Sequence, residues 1–265
     1  TGQPKGVPIT HKSVVNLLCG MQDHLKLKPT DIWLALTTIT FDIHIPEMFL
    51  SISQGGMTHI ALDQESKNPK KLVELVSTDI TICQATPSLW SGMLLSGWSG
   101  SKPLKILSGG EKLSKDLAAS LFKKSPEVWN LYGPTETTVW SSMYKIPNEN
   151  MDRFDRIPIG HPLLNTSFYV IDENYELTPV GSWGQLVISG HGLSKGYLNK
   201  NELTNIRFIR IPHLEDEFTY YLTGDSARLT ESGLYEIGGR LDNQIKVRGV
   251  RIEPEEIETV LESHD

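Results

Sequence analysis

Val128-Trp129-Asn130-Leu131-Tyr132-Gly133-Pro134-Thr135-Glu136-Thr137-Thr138 is an apolar run that gives way to a turn, two hydroxyls and a carboxylate. Val128–Leu131 has strand length, and open α/β sheets present ligands at the carboxyl ends of their strands. The residues that follow suit such a place. Tyr132 can stack on a base, Thr135 can donate to a phosphate, and Glu136 can hold Mg²⁺, a hard cation that prefers oxygen. A turn behind a buried tyrosine explains the same residues equally well.

Working back from this stretch, apolar runs of strand length alternate with segments of helical period from residue 10 onward. That is the pattern of βα units around a largely parallel sheet. Val14, Val15, Leu17, Leu18, Met21 and Leu25 recur at three- and four-residue steps and predict a helix that Pro29-Thr30-Asp31 ends. Strands are expected at Ile32–Thr38, Met57–Leu62, Ile80–Ala85 and Lys105–Ser108. Helices are expected at Pro46–Ser53, Pro69–Ser77, Pro87–Leu95 and Ser114–Lys124, several opening on proline, whose fixed φ suits the first helical turn. Beyond about residue 140 the texture changes to short strands between turn residues: Ser167–Asp172, Gly184–Ser189, Thr219–Thr223, Leu234–Ile237 and Gln244–Val247. This reads as an antiparallel sheet or small barrel. A last helix is expected from Pro254, with Ile257, Val260 and Leu261 on one face. The fold class is therefore α/β: parallel sheet layers with helices, then a small antiparallel β-barrel-like part.

The composition sets bounds on function. Of 265 residues, 25 are Lys or Arg and 32 Asp or Glu, a net charge of −7, with 38% hydrophobic residues. A chain of this kind is not disordered. It also lacks the clustered cationic face that general binding to nucleic acid or an anionic membrane requires. Cys19 and Cys83 are too few for a disulfide framework, which points to a reducing compartment, the cytoplasm. No apolar run approaches the ~18 residues of a membrane span. The chain opens on Thr1 rather than Met, within what reads as the tail of a glycine-rich loop, so a fragment of a longer domain is expected.

Three further runs suggest chemistry. Thr1-Gly2-Gln3-Pro4-Lys5-Gly6 joins two glycines to a cation, a combination that lets backbone amides and a point charge approach a phosphate, although such a run is more often a plain turn. Tyr221-Leu222-Thr223-Gly224-Asp225 ends on an acid able to accept from both ribose hydroxyls. Gly239-Arg240-Leu241-Asp242-Asn243-Gln244-Ile245-Lys246-Val247-Arg248-Gly249-Val250-Arg251-Ile252-Glu253 places four cations in twelve residues, which on charge pattern alone is a charged hairpin.

Together, in this order and spacing, these runs resemble the adenylation domains of non-ribosomal peptide synthetases, in the superfamily that also holds acyl-CoA ligases and luciferases. Phe41-Asp42, Leu107-Ser108-Gly109-Gly110-Glu111 and the stretch from Gly184 to Tyr197 carry the resemblance further, so that it covers essentially the whole chain. The resemblance implies that a carboxylate attacks the α-phosphate of ATP, pyrophosphate leaves, and the acyl-adenylate passes to a phosphopantetheine thiol. Bringing two anions together calls for cations, Mg²⁺ and positioning. On matching positions, Lys5 belongs to the phosphate loop, Thr135 contacts the α-phosphate and Glu136 ligates Mg²⁺. Tyr132 and the backbone around Gly110 frame adenine, and Asp225 binds the ribose with Arg240 close by. Asp242 is the hinge of a small mobile C-terminal lid.

The same resemblance places a substrate ammonium against Asp42, a contact of value only for a substrate with an α-amine; an aspartate capping the helix at Pro46 is the plainer alternative. Its other pocket positions fall on Ile43, Pro46, Gln84, Leu107, Gly109, Leu131, Val139 and Trp140. Read together they look like the pattern of glycine-activating domains, differing chiefly at Pro46. The expected ligands are thus ATP, Mg²⁺ and a small neutral amino acid, and the expected partners a phosphopantetheinylated carrier protein domain and neighbouring synthetase domains. An acyl- or aryl-CoA ligase and a non-catalytic nucleotide-binding module are the alternatives. The expected division is 1–140 for the α/β part, 141–241 for the β-rich part and 242–265 for the hinge and the start of the lid, with poor activity for the fragment alone.

Overall fold

The Thr10 hydroxyl accepts from Ser13 N–H at 3.1 Å, which caps and so starts helix α1 (His11–Leu25). The computed structural model describes residues 5–101, 103–149, 151–214, 219–242, 244–247 and 250–252, with Pro254, Ile257 and Leu261. Thr1 to Pro4 of the first glycine-containing run, Asn243, Arg248, Gly249 and Glu253 of the basic run, and Val260 lie outside the described residues.

After α1 come β1 (Ile32–Ala35), α2 (His44–Ser53), β2 (Met57–Ile60), α3 (Asp63–Ser66), α4 (Pro69–Val76), β3 (Ile82–Ala85), α5 (Pro87–Leu95), β4 (Lys105–Gly109), α6 (Lys115–Phe122) and β5 (Glu127–Tyr132). The five strands are parallel and ordered β2-β1-β3-β4-β5. Two antiparallel strands, β6 (Ser142–Lys145) and β7 (His161–Pro162), extend this first sheet beyond β5.

Alternation along the strands divides the core. Leu34, Cys83, Ile106 and Val128 pack with α4, α5 and α6 through Leu72, Val76, Trp90, Met93, Ala118 and Leu121. Their neighbours Trp33, Ile82, Leu107, Trp129 and Leu131 pack on the other face with Leu17, Met21 and Leu25 of α1 and Leu50 of α2. Two buried layers of this size are what the expected βα pattern requires.

The second sheet is antiparallel: β8 (Thr166–Ile171), β9 (Gly184–Gly190), β11 (Tyr220–Leu229) and β10 (Phe208–Ile209) lie side by side, the last following helix α7 (Asn201–Arg207). Strand β12 (Tyr235–Arg240) pairs with β11 and sets Arg240 opposite Asp225. The β11–β9 register breaks between Leu222 and Ser226, so Thr223-Gly224-Asp225 leaves that ladder. Irregular strands of this kind commonly re-aim a side chain near a site. A short ribbon, β13 (Ile245–Val247) with β14 (Val250–Ile252), follows.

Several element bounds differ from the sequence reading, each for a local reason. The strand expected to reach Thr38 stops at Ala35 because a side chain, Glu47, takes the next two amide protons. The strand expected to reach Leu62 stops at Ile60, since Glu65 accepts from Leu62 N–H and winds α3. Helix α2 starts at His44, with Pro46 inside its first turn. Pro254, Ile257 and Leu261 are helical, but Ile257 and Leu261 are exposed rather than packed. Among the described residues no helix is long and apolar enough to cross a membrane.

Candidate active site

A cavity of about 620 Å³ opens where the carboxyl ends of β4 and β5 meet the second sheet, lined by Gly110, Asn130, Tyr132, Asp225, Arg240 and Gln244 among others. The four residues expected around the nucleotide, Gly110, Tyr132, Asp225 and Arg240, are therefore brought together here, with Leu131 and Trp140 of the substrate positions beside them. Gly110 holds φ +82 directly after β4, a conformation open to glycine and costly for other residues. The Tyr132 hydroxyl donates to Asp225 Oδ2 at 2.5 Å, and Arg240 Nη1 donates to Asp225 Oδ1 at 3.0 Å. Each carboxylate oxygen still has a lone pair for a ligand hydroxyl. Burial and the Asp225 charge push the Tyr132 phenol well above its ordinary range, so it stays a donor.

Arg240 also grips Asp242 with two parallel hydrogen bonds, from Nε at 2.8 Å and Nη2 at 2.5 Å. Burial works against the guanidinium charge, and the two carboxylates outweigh it and raise its pKa. Burial likewise opposes the Asp242 charge, and Arg240 holds that carboxyl below its usual range.

The segment after β5 makes a 3-10 turn over Thr135–Thr137. Thr135 is exposed and its hydroxyl donates to Asp42 Oδ2 at 2.6 Å. Asp42 therefore does not cap α2, whose cap position is Ile43 with no side-chain bond. Burial raises the Asp42 pKa, with the Thr135 bond opposing and the Glu136 charge adding to the rise. Glu136 is buried; its Oε1 accepts from the Tyr197 hydroxyl at 2.8 Å and its carbonyl from Ser194 N–H at 2.9 Å. Lys5 is half-buried and, unlike the four residues above, does not line the cavity; the next residue is docked by Leu198 N–H donating to Gly6 O at 2.8 Å.

The side-chain pocket positions gather on the α1–α2 face of the first sheet. Gln84, Leu107, Leu131, Val139 and Trp140 are buried, Ile43 packs against the same apolar cluster, and Pro46 is buried on α2. Trp140 Nε1 donates to Gln84 Oε1 at 3.0 Å. A Cβ on Gly109 would lie 2.6 Å from Trp140 Cη2 and 3.1 Å from Leu131 Cβ, so the indole fills the space over residue 109. Thr138 and Val139 both hold φ +65, and Trp140 N–H donates to Thr138 O at 2.8 Å, closing a tight γ-turn. Conformations of that kind cost about 1–3 kcal/mol each in β-branched residues and persist only where the surroundings enforce them.

Residues left unassigned in the sequence also line the cavity. Asn130 is anchored by Nδ2 donating to Pro158 O at 2.8 Å, and Gln244 is buried at the other wall. Asn130 lies two residues before Tyr132 on β5, so alternation along the strand already sets the two side chains on one face, and the segment before β7 supplies the Pro158 carbonyl that anchors it.

A family model described as AMP-binding enzyme matches residues 1–198. The chain belongs to the AMP-binding enzyme family. Within this family it is similar over its whole length to a dimodular nonribosomal peptide synthase of Bacillus subtilis (strain 168), at 40% identity and covering 11% of that protein. Among solved structures it is similar to a holo four-domain nonribosomal peptide synthetase bound to AMP and glycine, at 42% identity and TM-score 0.86, covering all of this chain and 20% of that one. A Vibrio cholerae adenylation domain, AlmE, in complex with glycyl-adenosine-5'-phosphate matches at 25% identity and TM-score 0.87, over 98% of this chain and 50% of that one. The chain thus spans half or less of these relatives. Its parallel sheet and curled antiparallel sheet are the adenylation-domain fold that the motif series implied.

Proposed function

We propose that this AMP-binding chain forms the nucleotide- and substrate-holding part of an adenylation domain that activates a small neutral amino acid, glycine foremost, with ATP. The observation that carries the reading is the 2.6 Å bond between Asp42 and Thr135, which sets a carboxylate suited to an ammonium beside a hydroxyl suited to a phosphate. A half-buried carboxylate held by a neutral hydroxyl keeps its charge uncompensated, so the pocket favours a substrate that brings a positive charge.

The substrate carboxylate oxygen attacks the α-phosphorus, the bond to the bridging oxygen breaks, and pyrophosphate leaves with its electron pair. Asp42 exchanges its bond from Thr135 for the ammonium, Thr135 turns its freed hydroxyl proton to an α-phosphate oxygen, Asp225 accepts from the ribose hydroxyls, and Tyr132 with Arg240 keeps the Asp225 carboxylate in place. Lys5 adds a cation from the phosphate loop. Among the described residues no group of three or more His, Cys, Asp or Glu is arranged to hold a metal. Glu136 as a single hard donor nonetheless fits Mg²⁺, which is commonly held by one or two carboxylates plus substrate phosphates. When bound, Mg²⁺ neutralises charge on the phosphate oxygens.

Substrate size follows from the indole over Gly109 and from the absence of a charged group among Ile43, Pro46, Gln84, Leu107, Gly109, Leu131, Val139 and Trp140. The glycine-bearing relatives support the same choice. As part of this reading, Asp242 is the hinge between the core and the C-terminal part of the domain. The phosphopantetheine thiol of a carrier protein domain accepts the aminoacyl group, and other synthetase domains adjoin. Amino-acid-dependent ATP–pyrophosphate exchange by the protein carrying this chain tests the reading. Glycine is expected among the best substrates and acids without an amine among the worst. Equal exchange with desamino acids would refute amino-acid activation, and a panel led by bulky residues would refute the size assignment.

A further inference from the structure

Glu47 takes no part in the chemistry above, yet it is 0% exposed and lies on α2 one residue after Pro46. A carboxylate so deep is tolerated only when its oxygens are satisfied. Oε2 accepts from Leu36 N–H at 3.0 Å and Thr37 N–H at 2.8 Å, and Oε1 accepts from the Thr37 hydroxyl at 2.9 Å. All three donors belong to the chain as it leaves β1. That chain then runs through residues 38–43 and enters α2, with Phe41 N–H donating to Thr38 O and Ile45 N–H to Asp42 O, both at 3.0 Å. The loop is thus anchored to one helix at both ends: by covalent continuity at Ile43 and by the Glu47 side chain at Leu36 and Thr37. Asp42, one residue before the second anchor, makes its 2.6 Å contact with Thr135 from this loop.

Resting on the adenylation reading, we infer that Glu47 is a positioning residue that fixes where Asp42 meets the substrate ammonium. It touches no ligand itself. Displacing a recognition group by about 1 Å costs up to about 100-fold, and without Glu47 the amino end of the loop has two orphaned N–H groups and no fixed place.

The test compares Glu47→Ala and Glu47→Gln in the protein carrying this chain, by amino-acid-dependent pyrophosphate exchange with glycine, alongside thermal melting. In E47Q the amide oxygen accepts the two backbone N–H groups and the amide nitrogen donates to the Thr37 hydroxyl, so the anchor survives. E47A is expected to raise the amino-acid KM by about 10- to 100-fold while the ATP KM stays within about two-fold, and E47Q is expected to restore the parent value to within about three-fold. Thr37→Val removes only the hydroxyl donor and serves if E47A does not fold; a rise of about three-fold or more in the amino-acid KM alone is expected. A folded E47A or T37V with an unchanged amino-acid KM, or with both KM values rising together, overturns the inference and leaves the adenylation reading standing. A parent protein that accepts desamino acids equally well overturns that reading and the inference with it.

Discussion

Replacing Glu47 with glutamine should change how the stability of this fold depends on pH. Burial pushes the Glu47 carboxyl up from 4.5 to about 7 in the folded protein, against the opposing hydrogen bonds of Thr37 and Leu36. Between those two values the folded state holds a proton that the unfolded chain has released, so stability declines as pH rises. The contribution is complete below pH 4.5 and gone above about 7, and at about 1.4 kcal/mol per pH unit it amounts to roughly 3 kcal/mol. About 2.5 kcal/mol of this falls between pH 5 and pH 8. Urea denaturation of E47Q and parent at both pH values isolates the effect, because every other titrating group is common to the two proteins. Cys83, which feels the Glu47 charge, has its thiol pushed well above its ordinary value by burial and does not titrate in this range. Glutamine should therefore gain on the parent by about 2.5 kcal/mol on going from pH 5 to pH 8, a relative midpoint shift of just under 1 M at a typical slope of about 3 kcal/mol/M. A difference between the two proteins that is the same at both pH values would refute the account of Glu47 as a carboxyl neutral near pH 5.

Tyr132→Phe removes the donor to Asp225 Oδ2 and should weaken binding of an unreactive ATP analogue by about 3- to 10-fold in calorimetry. Arg240→Ala strands Asp225 and the Asp242 carboxyl; because Asp242 is about one-third exposed, the loss in denaturation free energy should be about 1–3 kcal/mol, below the figure for a fully buried pair. Arg240→Lys should recover only part of this, since an ammonium lacks the fork that meets both Asp242 oxygens. Gly109→Ala should cost about 1–3 kcal/mol through the clash with the indole, and combining it with Trp140→Leu should give a coupling of at least about 1 kcal/mol in a double-mutant cycle. Purely additive values would show that residues 109 and 140 do not touch.

The legible parts of the fold were those whose cause is local. Helix α5 follows from Thr86 as cap and Pro87 in the first turn, and its ends match the sequence reading. Strands β6 and β7 escaped because four and two residues carry little periodicity, and β6 owes its pairing to β5 and β7 to β6. Helix α7 escaped for a related reason: none of its residues is buried, so it has no apolar face to detect. In the site, Tyr132, Asp225 and Arg240 were found through their runs, while the contacts that link them depend on the break in β11 register. The Asp42–Thr135 bond joins residues 93 apart and has no sequence signal at all.

The indole over Gly109 has a consequence for how such a pocket changes through time. A side chain gained at 109 while Trp140 stands meets a wall, whereas shrinking Trp140 first leaves a void and an unmatched buried Gln84 oxygen worth about 1–3 kcal/mol. Neither single step is neutral, and the steps are not interchangeable in order. Gln84, Gly109 and Trp140 therefore act as one coupled unit, and a designer seeking a larger substrate has to move all three together.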